Sequence, residues 1–322
     1  MTNIAPRVSI GLPVYNGENY LEEAIVSILA QSFTDFELII GDNASSDRSR
    51  EIVQTYAAQD PRIRSYRNEV NRGAAWNFNR VFELARGQYF KWAAHDDLIR
   101  PEFLRECVDV LDADESAVLC FCHADVIDES GTTVATVLPG LATDSTKAHI
   151  RYRDLVLHWH TCLDIFGLMR REVLSGTSLI GSYAASDRVL LAELSLRGRF
   201  RHVPQILFTS RVHTGQSSQV HLVTGQAKID LRSYTSWFDT SKAGKVAFPQ
   251  WKLLSNYARA IRYGALPVST RFLCLLYLGR WSVNCGRALI ADVVYGARTF
   301  LASLGDSRQP LVHFRRPREK TQ

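Results

Sequence analysis

The chain has 322 residues, which corresponds to about two domains at ~150 residues each or to one large α/β domain with an extension. Its 46% apolar and 22% charged residues exclude overall disorder. The net charge of +5 is uneven, because the segment from Arg262 to the end holds ten Lys or Arg and three Asp or Glu. A nucleic-acid-binding protein more often spreads its basic charge over the folded body, so we expect no nucleic-acid partner.

The cysteines indicate a reducing compartment. They form no C-x-x-C pair and no zinc-finger spacing, and their neighbours are mostly apolar, so we expect buried free thiols. The N-terminus lacks a secretory signal, and no window of about 18 uncharged apolar residues predicts a membrane span. We therefore expect a cytoplasmic protein. The cysteines are Cys107, Cys120, Cys122, Cys162, Cys274 and Cys285.

Strand and helix patterns alternate over the first 127 residues. Short apolar runs predict strands, and apolar residues at helical spacing predict the helices between them. This alternation favours right-handed crossovers and a Rossmann-like, mainly parallel α/β sheet flanked by helices. The predicted strands are 7–14, 36–41, 63–67, 88–94 and 117–127, and the predicted helices are 18–32, 47–59, 74–85 and 101–112.

The later part of the chain has weaker patterns. We predict a loop at 131–144, a helix at 152–160, a strand at 165–169, a helix at 186–196, and one or two strands at 200–212 that break at Pro204. From about residue 222 the sequence is helical and then arginine-rich. We therefore expect an α/β domain at 1–220 and a helical extension at 221–322.

Polar residues follow four of the predicted strands, where the functional loops of a parallel sheet lie. They are Tyr15-Asn16, Asp42-Asn43, residues 68–73 and His95-Asp96-Asp97. The first strand runs into PVYNGENY, which is neither a dinucleotide-binding nor a P-loop pattern. A dehydrogenase or P-loop enzyme is therefore disfavoured, and a bound phosphate would need another partner, such as a metal held by carboxylates.

Two stretches, 8–49 and 71–97, resemble the opening of family 2 glycosyltransferases. The resemblance covers about residues 7–127 and continues more loosely through SDRVLLAEL at 186–194 and RVHTGQSS at 211–218. It implies a GT-A fold with a C-terminal helical extension, and an inverting, metal-dependent transfer of a sugar from a nucleotide-diphospho donor. A UDP-sugar is the expected donor, and a hydroxyl group in polysaccharide or glycoconjugate biosynthesis is the expected acceptor.

The resemblance also assigns the donor pocket. Asp42 would accept a hydrogen bond from the base or the ribose, since a carboxylate suits their N–H or O–H donors. A plain turn at Asp42-Asn43, a helix cap at Asp47 and a solvated Arg72 are the structural alternatives. The expected donor contacts are Pro13, Tyr15, Glu18, Asp42, Arg72 and Asn77.

His95-Asp96-Asp97 occupies the place of the family's D-x-D signature. The resemblance makes Asp96 the ligand of Mg²⁺ or Mn²⁺, with His95 and Asp97 also at the donor site, and it places His213 as a further metal or pyrophosphate contact. Hard oxygen ligands suit these ions. Ala94 replaces the first Asp of the commoner D-x-D-D form. A loop before Pro101 and a structural histidine are the alternatives.

Asp187 is the catalytic candidate. Inverting transfer needs one carboxylate to take the proton of the attacking hydroxyl, and the family's base lies at a helix start. Ser186-Asp187-Arg188 matches that motif with Ser in place of the first acid. The alternative is an Asp stabilised by the helix dipole, and Glu193 is a weaker rival. A degenerate member that binds without turnover and a nucleotidyltransferase are the competing functions.

Two further segments leave alternatives open. Trp159, between His158 and His160, is either a platform for an acceptor sugar or part of a packed segment, and packing is favoured. The arginine-flanked apolar residues after 270 are either an interfacial membrane contact or a packed helical pair, and the pair is favoured. Membrane docking would place the protein at the inner face of the plasma membrane with a lipid-linked acceptor, whereas a packed tail leaves a glycan acceptor.

Overall fold

The computed structural model describes residues 5–216, 219 and 230–306. The strands of this part of the chain are β1 (Val8–Val14), β2 (Phe36–Asp42), β3 (Ile63–Arg67), β4 (Tyr89–Trp92), β5 (Leu98–Ile99), β6 (Ala117–Ile127), β7 (Thr133–Val137), β8 (Leu168–Arg170) and β9 (Arg199–Arg211). They form a nine-stranded sheet with strand order β3-β2-β1-β4-β8-β6-β9-β5, and β7 pairs with β6.

Helices cover both faces of this sheet. The first seven are α1 (Leu21–Leu29), α2 (Ser49–Gln59), α3 (Ala74–Glu83), α4 (Phe103–Ala113), α5 (Ala148–Leu157), α6 (Arg171–Ser175) and α7 (Ser186–Arg197). Four more follow near the C-terminus: α8 (Leu231–Phe238), α9 (Pro249–Tyr263), α10 (Val268–Asn284) and α11 (Gly286–Asp306). The predicted α/β architecture with a C-terminal helical extension is confirmed.

The half of the sheet that carries the predicted site is parallel. β1 pairs with both β2 and β4 in parallel register, and β2 pairs with β3 in the same way. The seven residues of β1 and of β2 are all buried, as expected of strands that are covered by helices on both faces. Parallel pairing brings the carboxyl ends of these strands, with their polar residues, to one edge.

The other half is mixed. β8 lies antiparallel between β4 and β6, so the predicted fifth strand is not the neighbour of the fourth. A β-carbon at Gly167 would stand 2.6 Å from the Cys120 carbonyl oxygen, so only glycine allows this close approach. The predicted strand at 165–169 starts late because a 3₁₀ turn, Leu163–Phe166, precedes it.

The predicted loop at 131–144 is wrong in part, because it contains β7. This strand forms an exposed hairpin with β6, so it lacks the apolar alternation that reveals a half-buried strand. The Asp128 carboxylate accepts hydrogen bonds from the Ser130 and Thr132 amides and closes the turn. The predicted strands at 200–212 form a single strand, β9, which pairs with β6 through irregularities in register.

Two apolar layers enclose the sheet. Successive residues of β2 point to opposite faces, so Ile39 joins the layer under α3, α5 and α7, whereas Leu38 and Ile40 join the layer under α1, α2 and α4. The C-terminal helices pack on the first layer, where the ring of Tyr257 from α9 contacts those of Tyr152 and Trp281. The extension therefore shares its core with the sheet domain.

Several predictions fall outside the described residues. These are the domain boundary at residue 220, Ser217 and Ser218 of the RVHTGQSS segment, and the helical start near 222. The expectation of free thiols is confirmed, because the six cysteines are unpaired. No helix among the described residues is long and apolar enough to cross a bilayer.

Candidate active site

The loops after β1 and β2 are held together by side chains from both. The Asp47 carboxylate accepts hydrogen bonds from the Glu18 and Ser49 amides, and the Glu18 carboxylate accepts one from the Arg48 amide at 2.9 Å. Burial raises the pKa of Asp47, but the hydrogen bonds from Ser49 and Glu18 outweigh it and leave the pKa below its ordinary value. Glu18 and Asp47 thus shape the pocket by fixing its loops.

Asp42 lies at the end of β2 and is only 2% exposed. Its Oδ1 accepts a hydrogen bond from the Ser45 amide, whereas Oδ2 lies 3.2 Å from Arg67 Nε without a hydrogen bond to it. Pro13 pairs in register with Gly41, the residue before Asp42, and the exposed Tyr15 follows at the end of β1. One carboxylate oxygen therefore keeps accepting capacity beside the predicted nucleotide contacts.

Asn77 and Arg72 occupy different surroundings. The Asn77 amide donates to the Gly41 carbonyl at 2.7 Å, and its Oδ1 accepts from the Tyr66 hydroxyl at 2.8 Å, so this side chain ties α3 to the sheet. The Arg72 guanidinium lies over the Trp76 ring and lines a cleft of about 530 Å³ beside β3.

Asp96 and His213 meet although 117 residues separate them. Asp96 Oδ2 lies 3.0 Å from His213 Nε2, at the point where the loop after β4 meets the end of β9. Burial raises the pKa of Asp96, but the hydrogen bond with His213 outweighs it and lowers the pKa. Asp97 accepts from the Arg211 amide at 3.0 Å, and burial together with the charge of Asp96 raises its pKa.

This pair fits a divalent ion whose other ligands come from the substrate. No group of three or more His, Cys, Asp or Glu side chains converges among residues 5–216, 219 and 230–306. A metal held by one or two protein side chains keeps waters and binds substrate phosphates. One carboxylate suits Mg²⁺ and Mn²⁺ alike, whereas the imidazole favours the transition metal of the two.

A buried lysine below this loop was not identified from the sequence. Lys91 in β4 is fully buried, donates to the Phe166 carbonyl and lies over the rings of Phe103 and Phe208. Burial lowers its pKa to about 8, and its charge interacts with that of Asp97. The sequence feature that could have indicated this buried lysine is a single charged residue within the apolar strand Tyr89–Trp92.

Asp187 opens α7 after Ala185, whose φ of 61° turns the chain sharply. The carboxylate is half-buried and accepts a hydrogen bond from the Arg188 amide at 2.9 Å. Burial raises its pKa, and the Arg188 amide and charge and the Cys162 thiol lower it in part. Cys162 is a second residue that sequence analysis missed, because it is distant in the chain and meets Asp187 only in the fold.

The segment from Cys162 to Phe166 connects the two halves of the site. At one end the Cys162 thiol lowers the pKa of Asp187, and at the other end the Phe166 carbonyl accepts the hydrogen bond of Lys91, whose charge lowers the pKa of Asp97. Asp164 lies within it, and burial raises the pKa of its carboxyl to about 6. Asp187 and the loop of Asp96 and Asp97 therefore share one short piece of chain.

Trp159 shows the opposite of the expected packing. Its side chain is 82% exposed, so the interpretation as a packed segment is wrong. The backbone on either side is held, because the carbonyl oxygens of His158 and His160 accept hydrogen bonds from Arg188.

A family model and a related protein that match this sequence both belong to the glycosyltransferases. The model of the family "Glycosyl transferase family 2" matches residues 9–176. An uncharacterised glycosyltransferase of Rickettsia typhi is 30% identical over 223 residues, which cover 68% of each protein. The residues that match the family model include the strands and loops that carry Asp42, Asp96 and Asp97.

Comparison of structures supports the fold. Residues 1–349 of TarS from S. aureus, solved with UDP-GlcNAc, superpose with a TM-score of 0.65 at 15% identity, covering 89% of this chain and 79% of that one. The mannosyltransferase PcManGT from Pyrobaculum calidifontis, solved with GDP-Man and Mn²⁺, gives 0.53 at 17% identity, covering 93% and 81%. These likenesses show the shared fold, and the sequence matches establish that the chain belongs to glycosyl transferase family 2.

Proposed function

We propose that this glycosyltransferase moves a sugar from a nucleotide-diphospho donor to a hydroxyl acceptor with inversion and with the help of a divalent metal. The observation that carries the proposal is the meeting of Asp96 and His213 at 3.0 Å, in the loop after β4 that bears the family's signature acids. A polysaccharide or glycoconjugate is the proposed product.

The donor nucleotide would lie over the ends of β1 and β2. Asp42 Oδ2 is buried without a hydrogen bond and suits an N–H or O–H of the base or ribose. Pro13 and Tyr15 would flank the nucleotide, Arg72 and His95 would border it, and Glu18 and Asn77 would hold the surrounding backbone. The UDP-GlcNAc bound to TarS supports a UDP-sugar.

Asp96 and His213 would hold Mn²⁺ or Mg²⁺ at the diphosphate. The ion bound to PcManGT supports a metal, and the imidazole favours Mn²⁺. When bound, the ion neutralises charge on the departing nucleoside diphosphate, so no protein acid is needed for the leaving group. Asp97, which accepts a hydrogen bond from the Arg211 amide, and the buried Lys91 would stabilise the loop that carries Asp96.

Asp187 would take the proton of the attacking hydroxyl. A single carboxylate is sufficient for a one-step displacement, in which the acceptor oxygen attacks the anomeric carbon from the face opposite the leaving group and inverts it. Burial raises the pKa of Asp187 and so makes the carboxylate a better proton acceptor at neutral pH.

The test uses a panel of UDP-glucose, UDP-galactose, UDP-GlcNAc and GDP-mannose, whose hydrolysis by water needs no acceptor. Wild type should hydrolyse one of them in Mn²⁺ and lose activity in EDTA. Asp96→Ala should abolish Mn²⁺-dependent binding of the corresponding nucleoside diphosphate, measured by calorimetry. Asp187→Asn should bind it normally and lose hydrolysis by about 10²-fold or more.

Asp109→Asn, on the exposed surface of α4, is the matched control and should behave as wild type. Unchanged metal dependence in Asp96→Ala, or full turnover in Asp187→Asn, would overturn the assignment. Nucleotide binding without hydrolysis in wild type would instead indicate a degenerate binding protein, the alternative raised by Ala94 and Ser186.

We also propose that the C-terminal helices contact an anionic membrane at the inner face of the plasma membrane. In α10 the residues Val268, Phe272, Leu275, Leu276 and Val283 recur at helical spacing and are exposed, whereas Cys274, Leu278 and Trp281 face the protein. The outward face of α10 is therefore apolar, whereas a protein surface that contacts only water rarely carries a continuous apolar patch.

The charges on these helices favour an anionic membrane over a second copy of the chain as the partner. α10 contains no acidic residue, Asp292 of α11 is buried against Arg232, and Arg280, Arg287 and Arg298 are exposed. A symmetric contact with a second copy would bring like-charged faces together. Anionic headgroups complement such a face, and apolar side chains enter the headgroup boundary. A lipid-linked acceptor would then reach Asp187 from the bilayer.

A further inference from the structure

The indole of Trp159 is an apolar surface held in solvent. It lies in the loop between α5 and the turn at Leu163–Phe166, and its 82% exposure is the second highest among the exposed large apolar side chains of the described residues. On its C-terminal side the His160 ring contacts the Leu155 carbonyl at 3.2 Å and Cys162 is buried, whereas the His158 side chain is exposed like the indole. The loop is therefore anchored through His160 and Cys162, and the indole projects from it into solvent.

Arg188 fixes the backbone on both sides of this indole. Its Nη2 donates to the His158 carbonyl at 3.1 Å, and its Nη1 donates to the His160 carbonyl at 3.2 Å. The buried Tyr257 helps to raise the pKa of the same guanidinium. Hydrogen bonds from a charged, planar guanidinium are stronger and more directional than neutral ones, so the position of Trp159 is defined by α7.

Asp187 immediately precedes Arg188, so the clamp also sets the distance between Trp159 and the proposed base. We propose that Trp159 is the platform on which a pyranose ring of the acceptor stacks, with Arg188 as its positioning residue. This inference rests on the proposed function. The apolar C–H face of a pyranose fits the electron-rich face of an indole. A ring stacked on Trp159 would be held on the loop that Arg188, the residue after Asp187, ties to the start of α7.

A role in carbohydrate binding accounts for the exposure of the Trp159 indole, which packing within the protein does not explain. An indole left in water forgoes the burial of a large apolar surface. Both terminal nitrogens of the Arg188 guanidinium nonetheless donate hydrogen bonds to the carbonyl groups of the residues that flank Trp159. A carbohydrate ring would cover the indole during turnover and restore that burial.

The test measures transfer from the hydrolysed nucleotide sugar to a panel of methyl α- and β-glycosides of glucose, galactose, mannose and N-acetylglucosamine. Trp159→Ala should raise the KM for the best glycoside about tenfold with little change in kcat, and Trp159→Phe should keep most of the affinity. Donor hydrolysis without glycoside should equal that of wild type in both variants, because the donor site is untouched.

Arg188→Lys should also raise the glycoside KM, because an ammonium cannot reproduce the planar pair of hydrogen bonds. Trp251→Ala, at a partly exposed tryptophan of α9, is the matched control and should leave the KM unchanged. A wild-type KM in Trp159→Ala overturns the inference. So does wild-type enzyme that hydrolyses the donor yet glycosylates no glycoside of the panel. Absence of donor hydrolysis altogether would be the separate failure of the proposed function.

Discussion

The ring of His95 lies directly against the α-carbon of Gly17. A β-carbon at residue 17 would stand 2.5 Å from His95 Cδ2, closer than real contacts allow. The Gly17 amide donates to Ser49 Oγ at 2.8 Å, which holds the loop after β1 in place. The loop of the proposed nucleotide contacts and the loop of the proposed metal ligand are therefore packed together through a glycine.

Gly17→Ala should displace His95 and loosen the donor site. We expect about a tenfold higher Kd for UDP in Mn²⁺, or about 1.4 kcal/mol, with little change in the melting temperature, because the histidine ring can rotate away. Gly140→Ala is the control, since a β-carbon there meets no atom within 4 Å. Wild-type UDP affinity in Gly17→Ala would contradict the proposed role of this packing.

The pH dependence of donor hydrolysis should report on Asp187. Burial raises the pKa of this carboxyl, and Arg188, Cys162, Tyr183 and Tyr257 are the titratable groups that interact with it. A base must be deprotonated, so kcat/KM should fall as the pH drops through a pKa above the ordinary Asp range.

Two substitutions of Cys162 should move this acidic limb in opposite directions. The nearby Cys162 thiol lowers the pKa of Asp187, so Cys162→Ala should shift the limb to higher pH. Cys162→Ser supplies a stronger donor and should shift it to lower pH. A pH profile that is the same in wild type and both variants would show that another group controls the rate.

Glu37 should be a main source of acid-dependent stability. It is buried in β2, where Arg64 and Arg86 lie within 2.8 Å of its carboxylate. Burial raises its pKa, but the hydrogen bonds from Ser9, Arg86 and Arg64 outweigh it and keep the pKa below its ordinary value. The stabilisation is therefore complete above the unfolded-state pKa and is lost as the pH falls through the folded-state pKa.

Glu37→Gln should lower the free energy of unfolding by roughly 3 kcal/mol at pH 7, as for a buried pair that loses one partner. The loss should shrink as the pH falls below the unfolded-state pKa, because the unfolded chain takes up a proton at Glu37 before the folded protein does. Glu83→Gln, in an exposed pair with Arg80, should cost about 0.5 kcal/mol or less. Urea unfolding at pH 7 and pH 4 measures both, and equal losses at the two pH values would refute the assignment.

Membrane contact should depend on the outward face of α10. The protein should sediment with vesicles of phosphatidylglycerol and phosphatidylcholine more than with phosphatidylcholine alone, and less so at high salt. Phe272→Asp with Leu276→Asp should reduce this binding at least tenfold, because two charges would replace the apolar contact.

Val134→Asp is the matched control, since Val134 is equally exposed on β7, away from these helices. Unaltered vesicle binding in the double variant would reject the membrane proposal. A dimer in solution that the double variant dissociates would identify a second copy of the chain as the occupant of this face.

The local patterns of the sequence determined most of the elements and the family. Apolar runs located the strands of the parallel half, helical spacing located the helices between them, and the polar residues after each strand marked one edge of the sheet. These features depend on side-chain period and local chemistry, which a single segment carries by itself. The resemblance to family 2 glycosyltransferases rested on the same segments, 8–49 and 71–97.

Only the tertiary structure decided which distant residues meet and which side chains are buried. Asp96 reaches His213 across 117 residues because β5 after its loop pairs with β9. The insertion of β8, the burial of Lys91 and the exposure of Trp159 likewise depend on neighbours from other elements. No local period encodes such contacts, since burial and pairing follow from how the strands are ordered and how the helices cover them.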